Sequence, residues 1–262
     1  PRATASVKRK KKTDKERAMG PGYYDLYYGG FSPLYYIAML ALLAFSLYAQ
    51  IRVKTSFSKY SAAHCRSGMT GAQAAQAILR ANGITDVRIE PISGDLTDHY
   101  DPRAKVIRLS ERVYGADTVA AVGVASHEAG HAVQYATGYA PVRLRAAIIG
   151  VTSFASRFAM LLFIGGLILC AAAQQLIVLA YIGFFLYCTI FFFQLVTLPV
   201  EFNASRRAMA EIAAGGTLTE EERSGARRVL TAAALTYVAA MLTSLLQVLR
   251  LLSILRRNDR DR

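Results

Sequence analysis

Ser126-His127-Glu128-Ala129-Gly130-His131-Ala132-Val133-Gln134 is the stretch on which the reading of the chain turns. It contains His-Glu-x-x-His. On a helix, residues four apart share a face, so the His127 and His131 imidazoles project together, one turn apart. That spacing lets two ring nitrogens bind one zinc ion at about 2.0–2.1 Å. Glu128 sits beside the first histidine and can take a proton from zinc-activated water without using a coordination position. With 4 His and 9 Glu among 262 residues, chance placement yields only about 0.002 such motifs. The motif therefore predicts the helix of a zincin-like hydrolytic domain, with Glu128 as its catalytic base.

The surrounding composition is that of a membrane protein. Hydrophobic residues make up 53% of the chain, and they gather in long uncharged runs. The net charge is +13, of which residues 1–18 supply +6 through eight Lys/Arg against Asp14 and Glu16. The cluster Lys8–Lys12 reads as a solvated, disordered basic extension. No nucleic-acid partner is expected, and Met19 is the expected native start. Cys65, Cys170 and Cys188 show neither a disulfide framework nor metal-binding spacing. The first apolar run is too long for a cleavable signal peptide.

In chain order, residues 19–53 form a Gly/Tyr/Pro-rich lead, whose tyrosines suit a membrane interface, and a first transmembrane helix from Pro33 to Ile51. Residues 54–145 read as a small α+β domain. Thr70 caps a helix with an Ala74, Ala75, Ile78 and Leu79 stripe that stops at Asn82-Gly83. Val87–Ile92 alternates like a strand, residues 97–102 read as a polar loop, and Val106–Ser110 as a second strand. Asp117 is the expected cap of the motif helix, about 118–137. Val106, Ile107, Arg108 and Leu109 are the expected strand edge for an extended peptide substrate.

Residues 146–200 form a transmembrane hairpin turning near Gln174-Gln175, with 146–156 an interfacial helix or the start of the span. Residues 201–228 carry a helix ending at Gly215-Gly216 and the capping box Thr219-Glu220-Glu221-Glu222. Residues 229–253 are a fourth transmembrane helix, and 254–262 a basic tail. The expected fold is thus a mostly α membrane protein, with about four transmembrane helices and a small α+β zincin-like domain.

A catalytic zinc usually takes three protein ligands and a water. No histidine follows His131, so the third must be a carboxylate. Glu201 leaves an apolar span, where a charge is costly without a partner, and an antiparallel hairpin returns it to the side of His127 and His131. An ion pair with Arg206 or Arg207 is its structural alternative, and Glu211 is the reserve ligand.

Beyond the motif, the chain carries Ala49-Gln50-Ile51-Arg52-Val53-Lys54, Leu96-Thr97-Asp98-His99-Tyr100-Asp101-Pro102, Phe193-Gln194-Leu195-Val196-Thr197-Leu198-Pro199-Val200-Glu201-Phe202, Ala204-Ser205-Arg206-Arg207-Ala208 and Leu235-Thr236-Tyr237-Val238-Ala239-Ala240. With these, residues 23–253 resemble the YugP-type family of membrane-embedded neutral zinc metallopeptidases, and more distantly the HtpX-type and CAAX prenyl proteases. The resemblance implies Glu201 as third ligand, one zinc per chain and an active site at the membrane surface. Asn203 departs from it, since an Asp is expected there to orient a ligand histidine.

The expected reaction is hydrolysis of peptide bonds in a peptide or membrane-protein substrate at the lipid bilayer. His99, Tyr100, Arg206, Arg207 and Tyr237 are candidate oxyanion or substrate contacts. Rival readings are an intramembrane zinc protease and a non-catalytic zinc-containing adaptor. Starting from Met19, twelve basic residues lie near span ends on the site side and five on the other. The positive-inside rule then puts the active site in the cytoplasm, at a bacterial plasma (inner) membrane.

Overall fold

A computed structural model describes residues 33–260. The readings made for residues 1–32 and 261–262 lie outside them. Along the chain run α1 (Pro33–Ser61), α2 (Gly71–Ala81), β1 (Arg88–Ile92), β2 (His99–Asp101), β3 (Val106–Ser110), α3 (Glu111–Tyr114), α4 (Val119–Ala136), α5 (Ala140–Leu169), α6 (Ile177–Ala214) and α7 (Glu220–Arg260). The chain is mostly helical, as expected. Helices α1, α5, α6 and α7 are long and apolar enough to cross a membrane. Their outer faces carry exposed Leu34, Ile37 and Leu40 on α1 and Leu161, Ile164 and Ile168 on α5. Continuous apolar faces of this kind are suited to lipid rather than water.

Helix α2 starts where the sequence places it. The Thr70 hydroxyl accepts from Gln73 N, and Gln73 Oε1 accepts from Thr70 N. Its stripe of Ala74, Ala75, Ile78 and Leu79 is buried. Helix α4 is capped one residue later than expected. Thr118 Oγ1 accepts from Ala121 N at 3.3 Å, while Asp117 is engaged by His64 Nδ1 at 2.7 Å. The helix ends ahead of Gly138, whose φ of +66° suits a residue without a Cβ.

The sheet has three strands in the order β1-β3-β2, parallel between β1 and β3 and antiparallel between β3 and β2. Two corrections follow. Residues 97–102 are not all loop, because His99–Asp101 pair with Val106–Arg108. Three half-buried residues are too few for an alternating pattern to show. Val106–Leu109 offers no free edge, because β3 is the central strand and is paired on both sides. Its burial on both faces, at Val106, Ile107 and Leu109, fits that central place. The free edge next to it belongs to β2.

Thirteen of the eighteen residues of α4 are buried, so this helix forms the centre of the domain. Ala125, Ala129 and Val133 pack with Leu79, Ile107, Leu109 and Val113, and Phe57 of α1 and Val229 of α7 join the same core. The ends of two candidate spans are therefore built into the domain that carries the motif.

Residues 146–156 are continuous with α5 rather than a separate helix. The hairpin turns through a short 3₁₀ segment at Gln174–Leu176. Helix α6 continues unbroken past Pro199 to Ala214. Its backbone there is docked from outside: Gln134 Nε2 donates to Val200 O at 2.7 Å, and the Tyr139 hydroxyl to Pro199 O at 3.5 Å. Such neighbours let a membrane helix keep an internal proline. Helix α7 opens on the expected Thr219–Glu222 box and stays helical through residues 254–260, which the sequence assigns to a tail.

The hairpin depends on glycines. A Cβ on Gly183 of α6 would lie 2.4 Å from Phe163 N, and one on Gly166 of α5 would lie 2.2 Å from Ala180 N. Small residues let membrane helices approach closely. Gly183→Ala is expected to lower the melting temperature in detergent, by overpacking worth about 1–3 kcal/mol. Gly165→Ala, whose Cβ meets nothing within 4 Å, is expected to leave it unchanged or raised. Equal melting temperatures for the two variants would contradict the close-packed hairpin.

Candidate metal centre and active-site cleft

The buried positions Thr197, Glu201, Ala204, Ala208 and Ile212 recur every three or four residues along α6, marking one helical face. That face meets α4. A Cβ on Gly130, inside the His-Glu-x-x-His motif, would fall 2.6 Å from Ala204 O. Gly130 thus lets the two backbones approach until a side chain one turn away on α6 reaches the histidines. Glu201 Oε2 lies 3.3 Å from His127 Nε2 and 3.7 Å from His131 Nε2. Among the described residues, these three form the group able to hold a metal ion, with ligand atoms within 4.8 Å of one another.

A tetrahedral zinc with bonds of about 2.0–2.1 Å holds its ligand atoms about 3.4 Å apart. The observed spacings match that requirement. Glu201 Oε2 is also buried without a hydrogen-bond partner, which an acceptor tolerates poorly unless a cation faces it. The donor set of two imidazoles and one carboxylate suits zinc.

A profile of the family described as "Putative neutral zinc metallopeptidase" matches residues 35–256. The chain belongs to this metallopeptidase family. A curated relative, "Putative membrane protease YugP" of Bacillus subtilis (strain 168), is 48% identical over 228 residues, covering 87% of this chain and 99% of that protein. No solved structure matches the chain.

In this member of the family the histidines are oriented from behind. Gln134 Nε2 donates to Val200 O and to Asn203 Oδ1 at 3.0 Å. Its Oε1 therefore faces His131 Nδ1 at 3.0 Å. A carbonyl oxygen such as Val200 O can only accept, so the amide is oriented and His131 carries its proton on Nδ1, leaving Nε2 bare toward Glu201. His127 Nδ1 is likewise hydrogen-bonded to Ser205 Oγ at 3.1 Å, which holds that ring from behind. Burial works against a charged His131, yet the adjacent Glu201 carboxylate outweighs it and raises the imidazole above its ordinary value. A cation is favoured here, and a bound metal ion replaces that proton.

The residues expected to act on Glu201 and the histidines are placed differently from the sequence reading. Glu201 pairs with neither Arg206 nor Arg207. Arg145 of α5 donates to Glu201 Oε1 at 2.9 Å, fixing the carboxylate so that Oε2 alone points at the imidazoles. Asn203 does not touch a histidine; it accepts from Gln134 and from Arg207 Nε at 2.9 Å. Arg207 therefore supports His131 only through two intermediates. Arg206 is exposed and lines a different cavity with Met209 and Arg227. Glu211 accepts from Asn82 Nδ2 at 2.9 Å and stands apart from the metal group.

Two cavities meet at the centre. The larger, about 610 Å³, is lined by His99, Tyr100 and Asp101 of β2 and by Arg145, Ala146 and Ile149 of α5. The smaller, about 300 Å³, is lined by Val53, Phe57, Val124, Val229 and Leu230, among others. Asp98, His127, Glu128, Glu201 and Tyr237 line both, so Glu128 stands at the junction. Burial pushes the Asp98 carboxyl above its ordinary value, against hydrogen bonds from Ser110 N and Oγ. His99 is tied by Nδ1 to Thr97 O at 2.8 Å, and Tyr100 meets Tyr135 edge to face at 5.6 Å.

Sequence reasoning missed Gln134, Ser205 and Arg145 as supports. The first two carried a signal, at i+3 from His131 and i+4 from Glu201. Arg145 carried none, since only the fold brings α5 to Glu201. Arg145→Gln is expected to weaken zinc binding about 10–100-fold, the usual effect of losing a group that orients a metal ligand. The measurement is competition with a chromophoric chelator, and an unchanged affinity would contradict this role.

Proposed function

We propose that the chain is a membrane-embedded zinc endopeptidase of the zincin type. One zinc per chain would be held by His127, His131 and Glu201. The observation that carries this reading is the convergence of both Nε2 atoms on the orphaned Glu201 Oε2 at zinc-ligand spacing, with Glu128 beside it in an open cleft. The family description and the relative's name as a membrane protease agree with it. Bound zinc supplies Lewis acidity, which polarises a carbonyl and lowers the pKa of water toward 7.

The chain's own groups do the rest. Glu128 accepts the proton of the attacking water and delivers it to the amine nitrogen of the leaving fragment. Arg145 and Gln134 keep Glu201 and His131 in place through the cycle. The free edge of β2, which lines the larger cavity, takes the main chain of an extended substrate. Tyr237, on both cavities, is the best-placed of the expected contacts to donate to the developing oxyanion. The exposed apolar faces of α1 and α5 set the centre in a bilayer, and the basic residues near the site-side helix ends orient it toward the cytoplasm of a bacterium.

Glu128→Gln is expected to keep zinc and to lose peptide hydrolysis about 10²–10⁴-fold, read by mass spectrometry of a peptide mixture incubated with the detergent-purified chain. Hydrolysis equal to that of the unaltered chain would exclude Glu128 as the base.

A further inference from the structure

The two cavities differ in what builds them. The larger is walled by the polar edge of β2 and by α5, with Asp98, Asp101, Arg103 and Arg145 on its surface. The smaller is walled by Val53 and Phe57 of α1, Val229, Ala233 and Ala234 of α7, and Val124 of α4. Helices α1 and α7 are both candidate membrane spans. Only Asp98, His127, Glu128, Glu201 and Tyr237 line both cavities. A peptide laid along β2 with its scissile carbonyl at this junction would next meet the smaller cavity.

From this we infer that the smaller cavity is the specificity pocket of the enzyme, and that it takes one large apolar side chain flanking the scissile bond. The inference rests on the peptidase reading and adds the substrate class: segments with a Leu, Ile, Met or Phe at the cut and an extended, polar stretch running away along β2. A volume of about 300 Å³ is at the small end for ligand pockets, room for one side chain and not for a folded segment. Apart from Ser205, Thr236 and the residues it shares with the larger cavity its walls are apolar, so a charged side chain reaching past those residues is penalised by burial. Because the walls are the domain-side ends of two spans, the pocket accepts such a residue where a substrate leaves the bilayer. The site thus suits the flank of a membrane-inserted segment, apolar on one side of the cut and polar on the other.

The pocket floor provides the test. Ala233 and Val53 are half-buried, line the cavity and lie outside the metal group, so Ala233→Phe, or the milder Ala233→Leu and Val53→Phe, fills the space without altering a candidate ligand or Glu128. The zinc-loaded full chain in detergent is incubated with a peptide mixture made by Glu-specific digestion of a bacterial membrane fraction. New termini are identified by mass spectrometry beside a Glu128→Gln control. The inference predicts that Glu128-dependent cuts favour a large apolar residue over a charged one at one adjacent position by about tenfold or more. It also predicts that the filled variants, still holding zinc, move that position to Gly and Ala. Glu128-dependent cuts with no apolar preference would overturn it, as would a profile unchanged in every zinc-holding filled variant. Absence of any Glu128-dependent cut would instead overturn the peptidase reading, and the pocket assignment with it.

Discussion

Glu201 is a carboxylate at 2% exposure on a helix apolar enough to cross a membrane. An ionised group there costs several kcal/mol in real proteins unless its partners are arranged around it. Those partners come from two other helices. Arg145 of α5 holds Oε1, the imidazoles of α4 face Oε2, and α6 presents the carboxylate itself. The mutual placement of α4, α5 and α6 is therefore constrained by this one group. Its last requirement, a cation for Oε2, is what makes the arrangement a candidate metal centre.

Glycine permits this arrangement. Gly130 lets α6 approach α4 at Ala204, and Gly123, two turns earlier on α4, would put a Cβ 3.2 Å from Ala226 of α7. The motif helix thus lies between α6 and α7 with small residues at both contacts. Close approach gives the supporting side chains short reach: Gln134 bridges α4 to Val200 and Asn203, and Ser205 reaches back to His127. Side chains held this way lose little freedom when a metal binds, which keeps a ligand set ordered.

Much of this was legible in the sequence, for reasons of period and local chemistry. The motif named His127, Glu128 and His131 because ligand spacing on a helix is fixed at four residues. Caps at Thr70 and Thr219 and the turn at Gln174-Gln175 were readable as local signals. Glu201 could be favoured over Glu211 because a charge at the exit of an apolar run has to be explained. Apart from the meeting of Glu201 with the histidines, what the sequence hid was decided across the fold. Strand β2 is too short to alternate, so β3 was taken for an edge when it is central. The boundary drawn between residues 200 and 201 falls inside α6, because Gln134 and Tyr139, which dock its backbone at Val200 and Pro199, lie sixty or more residues away. Nearness in sequence offers Arg206 and Arg207 as the alternative partners of Glu201, whereas Arg145 arrives from another helix. The meeting of two cavities at one cleft, the smaller the more apolar, belongs to tertiary structure alone.

The central claim is that His127, His131 and Glu201 together form one zinc site. It is tested most directly by elemental mass spectrometry of the detergent-purified chain beside Glu201→Ala and Glu211→Ala. About one zinc per chain in the unaltered protein and in Glu211→Ala, with loss in Glu201→Ala, is the predicted result. Equal zinc in the unaltered chain and Glu201→Ala would contradict it, and so would purified protein that binds no zinc at all.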